Sequence, residues 1–172
     1  MTENTTPPDF FPNTLDRFAD IERLVSKIYF RFSHLFLHQS ELRDFWWQMA
    51  IDEEQHACIL TACKAIIENY EDEAVDPFIN QDKAAEIEET LQSYLKKGTQ
   101  SIALEEAFRI ALDIENSELD SIYRRLLESC GPKVAKTMEN VGVPASVQRR
   151  KLASAVLCFA RDPELRASVE GL

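Results

Sequence analysis

Glycine is scarce in this chain of 172 residues, with only 4 present, and no Cys-x-x-Cys pair occurs. Few glycines, with apolar residues recurring at helical spacing, favour an all-helical fold. Without paired cysteines there is no zinc ribbon, rubredoxin-type centre or thioredoxin-type motif. No basic stripe is evident, so a nucleic-acid partner is not expected. The same lack argues against anionic membrane surfaces. No segment is long and apolar enough to span a bilayer. The opening stretch MTENTTPPDFFPNT has no basic region and no apolar run, so it does not read as a signal peptide. The expected location is the cytoplasm, with Cys58, Cys63, Cys130 and Cys158 as small core residues in a reducing compartment.

What is present is a globular composition, 45% hydrophobic, in a chain of one-domain length. The formal charge of −11 serves solubility in its plain reading. Its specific reading is a group of carboxylates collected for a cation.

The apolar periodicity predicts a loose polar arm over 1–13 and a single domain over 14–172. Helices are predicted near 14–38, 40–70, 82–96, 100–129, 133–140 and 145–161. Asn13 or Thr14 is the expected cap of the first. The inner stripe of the first helix is Leu15, Phe18, Val25, Tyr29, Phe32 and Phe36, with Glu22 inside it. The second carries Leu42, Trp46, Met49, Leu60, Cys63 and Ile67, with Glu53 and His56 inside it. The fourth carries Leu104, Phe108, Ala111, Glu115, either Glu118 or Leu119, Ile122 and Leu126. The last turns Leu152, Val156 and Phe159 inward. The expected architecture is all-α, a four-helix bundle of two antiparallel hairpins. The 71–99 crossover holds a short extra helix.

Acids at the midpoints of three inner stripes need an explanation. Buried carboxylates are costly to desolvate, and grouped ones repel one another unless they take up protons or a cation. Glu53 and His56 leave one helix face a turn apart, so both can reach one ion. Glu22, Glu115 and Glu118 lie near the middles of two other helices. Carboxylate oxygens with one imidazole suit iron or manganese, and zinc is also compatible. A hydrogen-bonded Glu53–His56 pair without metal is the plain alternative.

The stretches DIERLVSKIY (20–29), MAIDEEQHACIL (49–60) and ALDIENSELDSIY (111–123) resemble the rubrerythrin branch of the ferritin-like superfamily. The resemblance covers roughly 14–162. It implies a di-iron site with a Glu from the first helix, Glu-x-x-His from the second, Glu from the third and a second Glu-x-x-His from the fourth. Tyr29 and Tyr123 would then stand near the metal. Aligned to the second helix, the fourth departs from this pattern. MAIDEEQH (49–56) falls on LASAVLCF (152–159), so Val156 and Phe159 stand where Glu and His are required. A half-site remains, with Glu22, Glu53, His56, Glu115 and Glu118 as candidate ligands for one ion, or for two if Glu115 and Glu118 together hold a weaker second one. Arg149, seven residues before Val156, could neutralise buried acids if the metal has been lost.

The resemblance implies iron and reaction with peroxide or dioxygen, with an external electron donor, since no cysteine cluster is present to relay electrons. A homodimer through exposed aromatic surface is also expected. The alternative is a non-catalytic bundle with a structural or interaction role. Hydroxylation of an organic substrate is a third chemistry, for which the sequence specifies no pocket.

Overall fold

The computed structural model describes residues 10–69, 79–97 and 101–170. Among them every regular element is a helix: α1 (Phe10–Leu35), α2 (Ser40–Asn69), α3 (Gln81–Lys97), α4 (Leu104–Glu115), α5 (Leu119–Ser129), α6 (Pro132–Glu139), α7 (Ala145–Phe159) and α8 (Pro163–Ala167). No helix among the described residues is long and apolar enough to cross a membrane.

Helix α1 starts four residues before Thr14, which places Asn13 and Thr14 inside it rather than at its cap. Pro12 falls in the first turn, where a backbone N–H has no helical acceptor and its loss costs nothing. The remainder of the expected arm, 1–9, lies outside the described residues.

The stripes of α1 and α2 face each other. The Ser26 hydroxyl donates to the Ala50 carbonyl at 2.8 Å, Arg23 pairs with Glu54, and Lys64 with Asp16. Pairs that advance along α1 while receding along α2 define an antiparallel hairpin. Its centre is aromatic: the Trp46 ring lies 5.8 Å from Tyr29, 5.0 Å from Phe32 and 5.2 Å from Phe108. Helix α3 is fixed on the outside of α1 by Arg17, whose guanidinium donates to both Glu88 oxygens and to Gln81. Residues 71–78 and 98–99 of the expected crossover lie outside the described residues.

The single helix expected over 100–129 is two helices, broken at Asn116-Ser117-Glu118. Asn and Ser offer the backbone competing hydrogen bonds. Ser117 Oγ accepts from the Leu119 amide at 3.2 Å, and so opens α5 as a new helix. The break turns Leu119 into the core and leaves Glu118 exposed. Trp46 meets Phe108 before the break, and His56 meets Tyr123 beyond it. Contacts that advance together along both chains show α2 and α4–α5 running in the same direction. Helix α7 runs against α2: Lys151 pairs with Asp52, Gln148 with Glu53, and Val143, just before α7, with His56. Gly131 (φ 98°) provides the left-handed turn before Pro132 starts α6.

Two further corrections concern details. The short α8 was not foreseen, although Asp162-Pro163 is a readable start: the Asp162 carboxylate accepts from the Glu164 amide at 2.9 Å. Cys63 and Cys130 are buried as expected, whereas Cys58 and Cys158 are exposed and are not core residues.

Candidate metal centre

Glu22 enters from the middle of α1, and Glu53 and His56 from the middle of α2. The antiparallel hairpin brings these midpoints together. One ligating atom from each of the three lies within 4.8 Å of the others. All three are almost fully buried, at 2%, 4% and 3% exposure.

His56 is held from both sides. Its Nε2 stands 2.9 Å from the Val143 carbonyl and its Nδ1 3.2 Å from Glu53 Oε2, and its ring lies 4.5 Å from that of Tyr123. The chain reaches His56 through a close approach at Gly142, where an added Cβ would stand 3.0 Å from Ile59 Cδ1. Donation from Nε2–H to Val143 leaves Nδ1 directed at the acids. That is the orientation a metal-ligating histidine takes from a backbone acceptor. With no cation between them, Nδ1 takes a proton instead. Burial opposes this charge, but the hydrogen bond and the charge of Glu53 outweigh it, and His56 is raised to about 8.

Burial, then Glu53, Asp120 and Glu115, push the Glu22 carboxyl well above the usual carboxylate range. Glu115, the last residue of α4, is also pushed well up by burial and by Glu53; the Tyr29 hydroxyl, donating to Glu115 Oε1 at 2.8 Å, opposes this. Glu115 therefore stands beside the group of three, electrostatically coupled to it. Glu118 does not join them. It is exposed near Lys83 of α3, turned outward at the break and away from the buried group.

Helix α7 contributes a residue that the sequence reading did not single out. Gln148 is buried, and its Nε2 donates to Glu53 Oε1 at 2.7 Å. The internal alignment matched Glu53 with Val156, whereas the α7 residue in contact with Glu53 is Gln148. Val156 lies in the hydrophobic core, and the residue facing Glu53 is two helical turns earlier. Three residues after Gln148, Lys151 bonds Asp52 at 2.6 Å, and Gln48 donates to the other oxygen of Asp52 at 2.8 Å. Gln148 and Lys151 thus meet Glu53 and Asp52 from one side of α7. Stepping back four residues at a time from Val156 through Leu152 lands on Gln148, which is the signal that was available. A step of seven lands on Arg149, whose ion pair is with Asp120 at 3.5 Å rather than with the buried group.

One cavity, about 590 Å³, reaches this group; its wall includes His56, Glu115, Asp120, Tyr123 and Arg149. The donor set, two carboxylates and an imidazole with a third carboxylate adjacent, fits one hard or borderline divalent cation. It does not fit a second: the α7 positions carry an amide, which cannot offer a carboxylate, and an ammonium, which repels a cation. No known family model, curated protein or solved structure matches the chain.

Proposed function

We propose that the chain is a rubrerythrin-like, ferritin-like protein that has kept half of its metal site. It holds one iron or manganese ion on Glu22, Glu53 and His56, with Glu115 as the further ligand. Zinc is compatible with the same donors. The observation that carries this reading is the convergence of three buried ligating atoms within 4.8 Å, one of them on a histidine already anchored through its other nitrogen. The ferritin-like topology is supported by α2 and α4–α5 running the same way, which requires a crossover between the two halves.

When bound, the ion supplies Lewis acidity and one-electron exchange toward peroxide or dioxygen. The residues of this chain do the rest. Gln148 fixes one oxygen of Glu53, leaving the other beside His56. Tyr29 fixes Glu115. Val143 sets the imidazole orientation. The cavity admits a small reactant on the His56–Glu115 side; Glu22 and Glu53 are not part of its wall. The external electron donor and the homodimer belong to the same proposal. A dimer would use the outer face of the α1–α2 hairpin, where the exposed rings of Phe30 and Trp47 lie 5.0 Å apart.

Glu53→Gln and His56→Ala variants test the site. Both are expected to lose the metal that the unaltered protein retains through gel filtration. Equal metal content in all three would remove the assignment.

A second reading rests on a specific observation. Glu22 is buried beside Glu53, which raises its pKa, and Gln148 and His56 donate to Glu53, so protons alone can satisfy the group. This is the non-catalytic bundle. It predicts the same melting temperature with metal and with chelator.

A further inference from the structure

The cavity beside the candidate metal centre is furnished for more than a two-atom oxidant. Its volume, about 590 Å³, is in the range that takes a small organic molecule. Two arginines line it, Arg124 from α5 and Arg149 from α7. Arg124 is exposed at the rim, and its charge acts on Asp120. Arg149 has only the long 3.5 Å contact of its Nη2 to Asp120, and its Nε is buried without a hydrogen-bond partner. The Tyr123 hydroxyl is likewise buried without one. Asp120 Oδ2 is also buried without a hydrogen bond, meeting Arg149 only through Nη2 at 3.5 Å. Unmade hydrogen bonds in a buried setting cost free energy, so Arg149 Nε and the Tyr123 hydroxyl call for an acceptor that Asp120 does not supply. Leu127, Met138 and Val143 supply apolar wall on the same cavity. In a chain of net charge −11, two arginines on this wall match its two carboxylates, Asp120 and Glu115.

We infer that this cavity is the seat of a small organic monocarboxylate. Its carboxylate accepts from Arg149 Nε and the Tyr123 hydroxyl and is neutralised by Arg124, while its apolar body lies on Leu127, Met138 and Val143. Asp120 positions Arg149 by holding Nη2, which turns Nε toward the cavity. A planar carboxylate matches a guanidinium edge better than a point anion does. The inference deepens the metal reading by naming the class of molecule that would lie next to the ion. It rests on that reading only for the acid's role as a reactant, because the seat itself needs no metal.

The test uses the full chain in chelator at neutral pH, titrated with benzoate and hexanoate and separately with benzamide and hexanamide. At least one acid should bind, and should bind at least tenfold more tightly than its amide. Arg149→Gln and Tyr123→Phe should each weaken the acid severalfold while leaving the amide unchanged, and circular dichroism should show both variants folded. Acid and amide binding equally, neither acid binding, or acid affinity unchanged in the Arg124→Gln/Arg149→Gln double variant would overturn the inference. Protein loaded with manganous ion then separates the two claims. Broadened resonances of the bound acid place it beside the paramagnetic ion. Binding without broadening keeps the seat and overturns the metal reading.

Discussion

His56 has one ring and two acceptors, and its proton count reports what lies between it and Glu53. Without metal, His56 is raised to about 8 from the usual 6.5, so its contribution to stability is full below 6.5 and is lost as pH rises to about 8. Glu22 and Glu115 have the same sign. Their folded-state values lie well above the usual 4.5, so they bind protons that the unfolded chain releases, and stability falls as pH rises above that value. The melting temperature of the metal-free protein should therefore decline steadily from about pH 5 to about pH 8. A bound cation displaces these protons, and its affinity rises with pH, so the metal-loaded protein should show a flat or rising profile over the same range. Thermal melts in chelator and in excess manganese would measure both. Identical slopes would mean that no cation enters.

Gln148 gives a second prediction at this scale. Gln148→Glu adds a carboxylate against Glu53, at 2.7 Å in the present amide. It should lower the melting temperature in chelator and raise it above the unaltered protein in metal, because like charges that repel alone become ligands together. A drop under both conditions would deny the cation. The candidate site was legible in the sequence where it sits on the long, regular α1 and α2, whose stripes put Glu22, Glu53 and His56 in register. It was not legible on α7, where an apolar octet offered a gap-free alignment and drew attention from the polar residue two turns earlier.

Among the elements, the α1–α2 hairpin carries the centre and α4 closes over it, and Trp46 is the side chain that joins all three. Truncating it to Ala should cost about 3–5 kcal/mol in urea unfolding, as removal of a large buried aromatic does. Trp46→Phe should cost far less, under about 1.5 kcal/mol, because the indole Nε1 is buried with no partner and its loss removes an unsatisfied donor. Equal losses would mean that Nε1 is satisfied. The break between α4 and α5 shows the limit of periodicity. The apolar pattern continues through Asn116-Ser117-Glu118, and either Glu118 or Leu119 could have faced inward. Only the local competition from Ser117 Oγ decides for Leu119, and stripe counting does not register it.

For the whole molecule, two halves meet at one polar centre in an apolar interior. The first half supplies Glu22, Glu53 and His56; the second supplies Glu115, Gln148 and the Val143 carbonyl. The all-helical class followed from composition and spacing. The placement of α7 depended on contacts far apart in the chain, which spacing within one helix does not encode. The inequality of the halves is the central claim of the proposal: the first would supply the ligands, while the second meets Glu53 and Asp52 with an amide and an ammonium. Such a molecule should hold one ion rather than two.

The measurement that tests this most directly is the metal content of the purified full chain after anaerobic loading with ferrous or manganous ion and gel filtration, beside Glu53→Gln treated identically. About one ion per chain in the former and almost none in the latter is the predicted result for a single protein-held site. A folded protein that retains no metal, or a Glu53→Gln variant that retains as much, would contradict it.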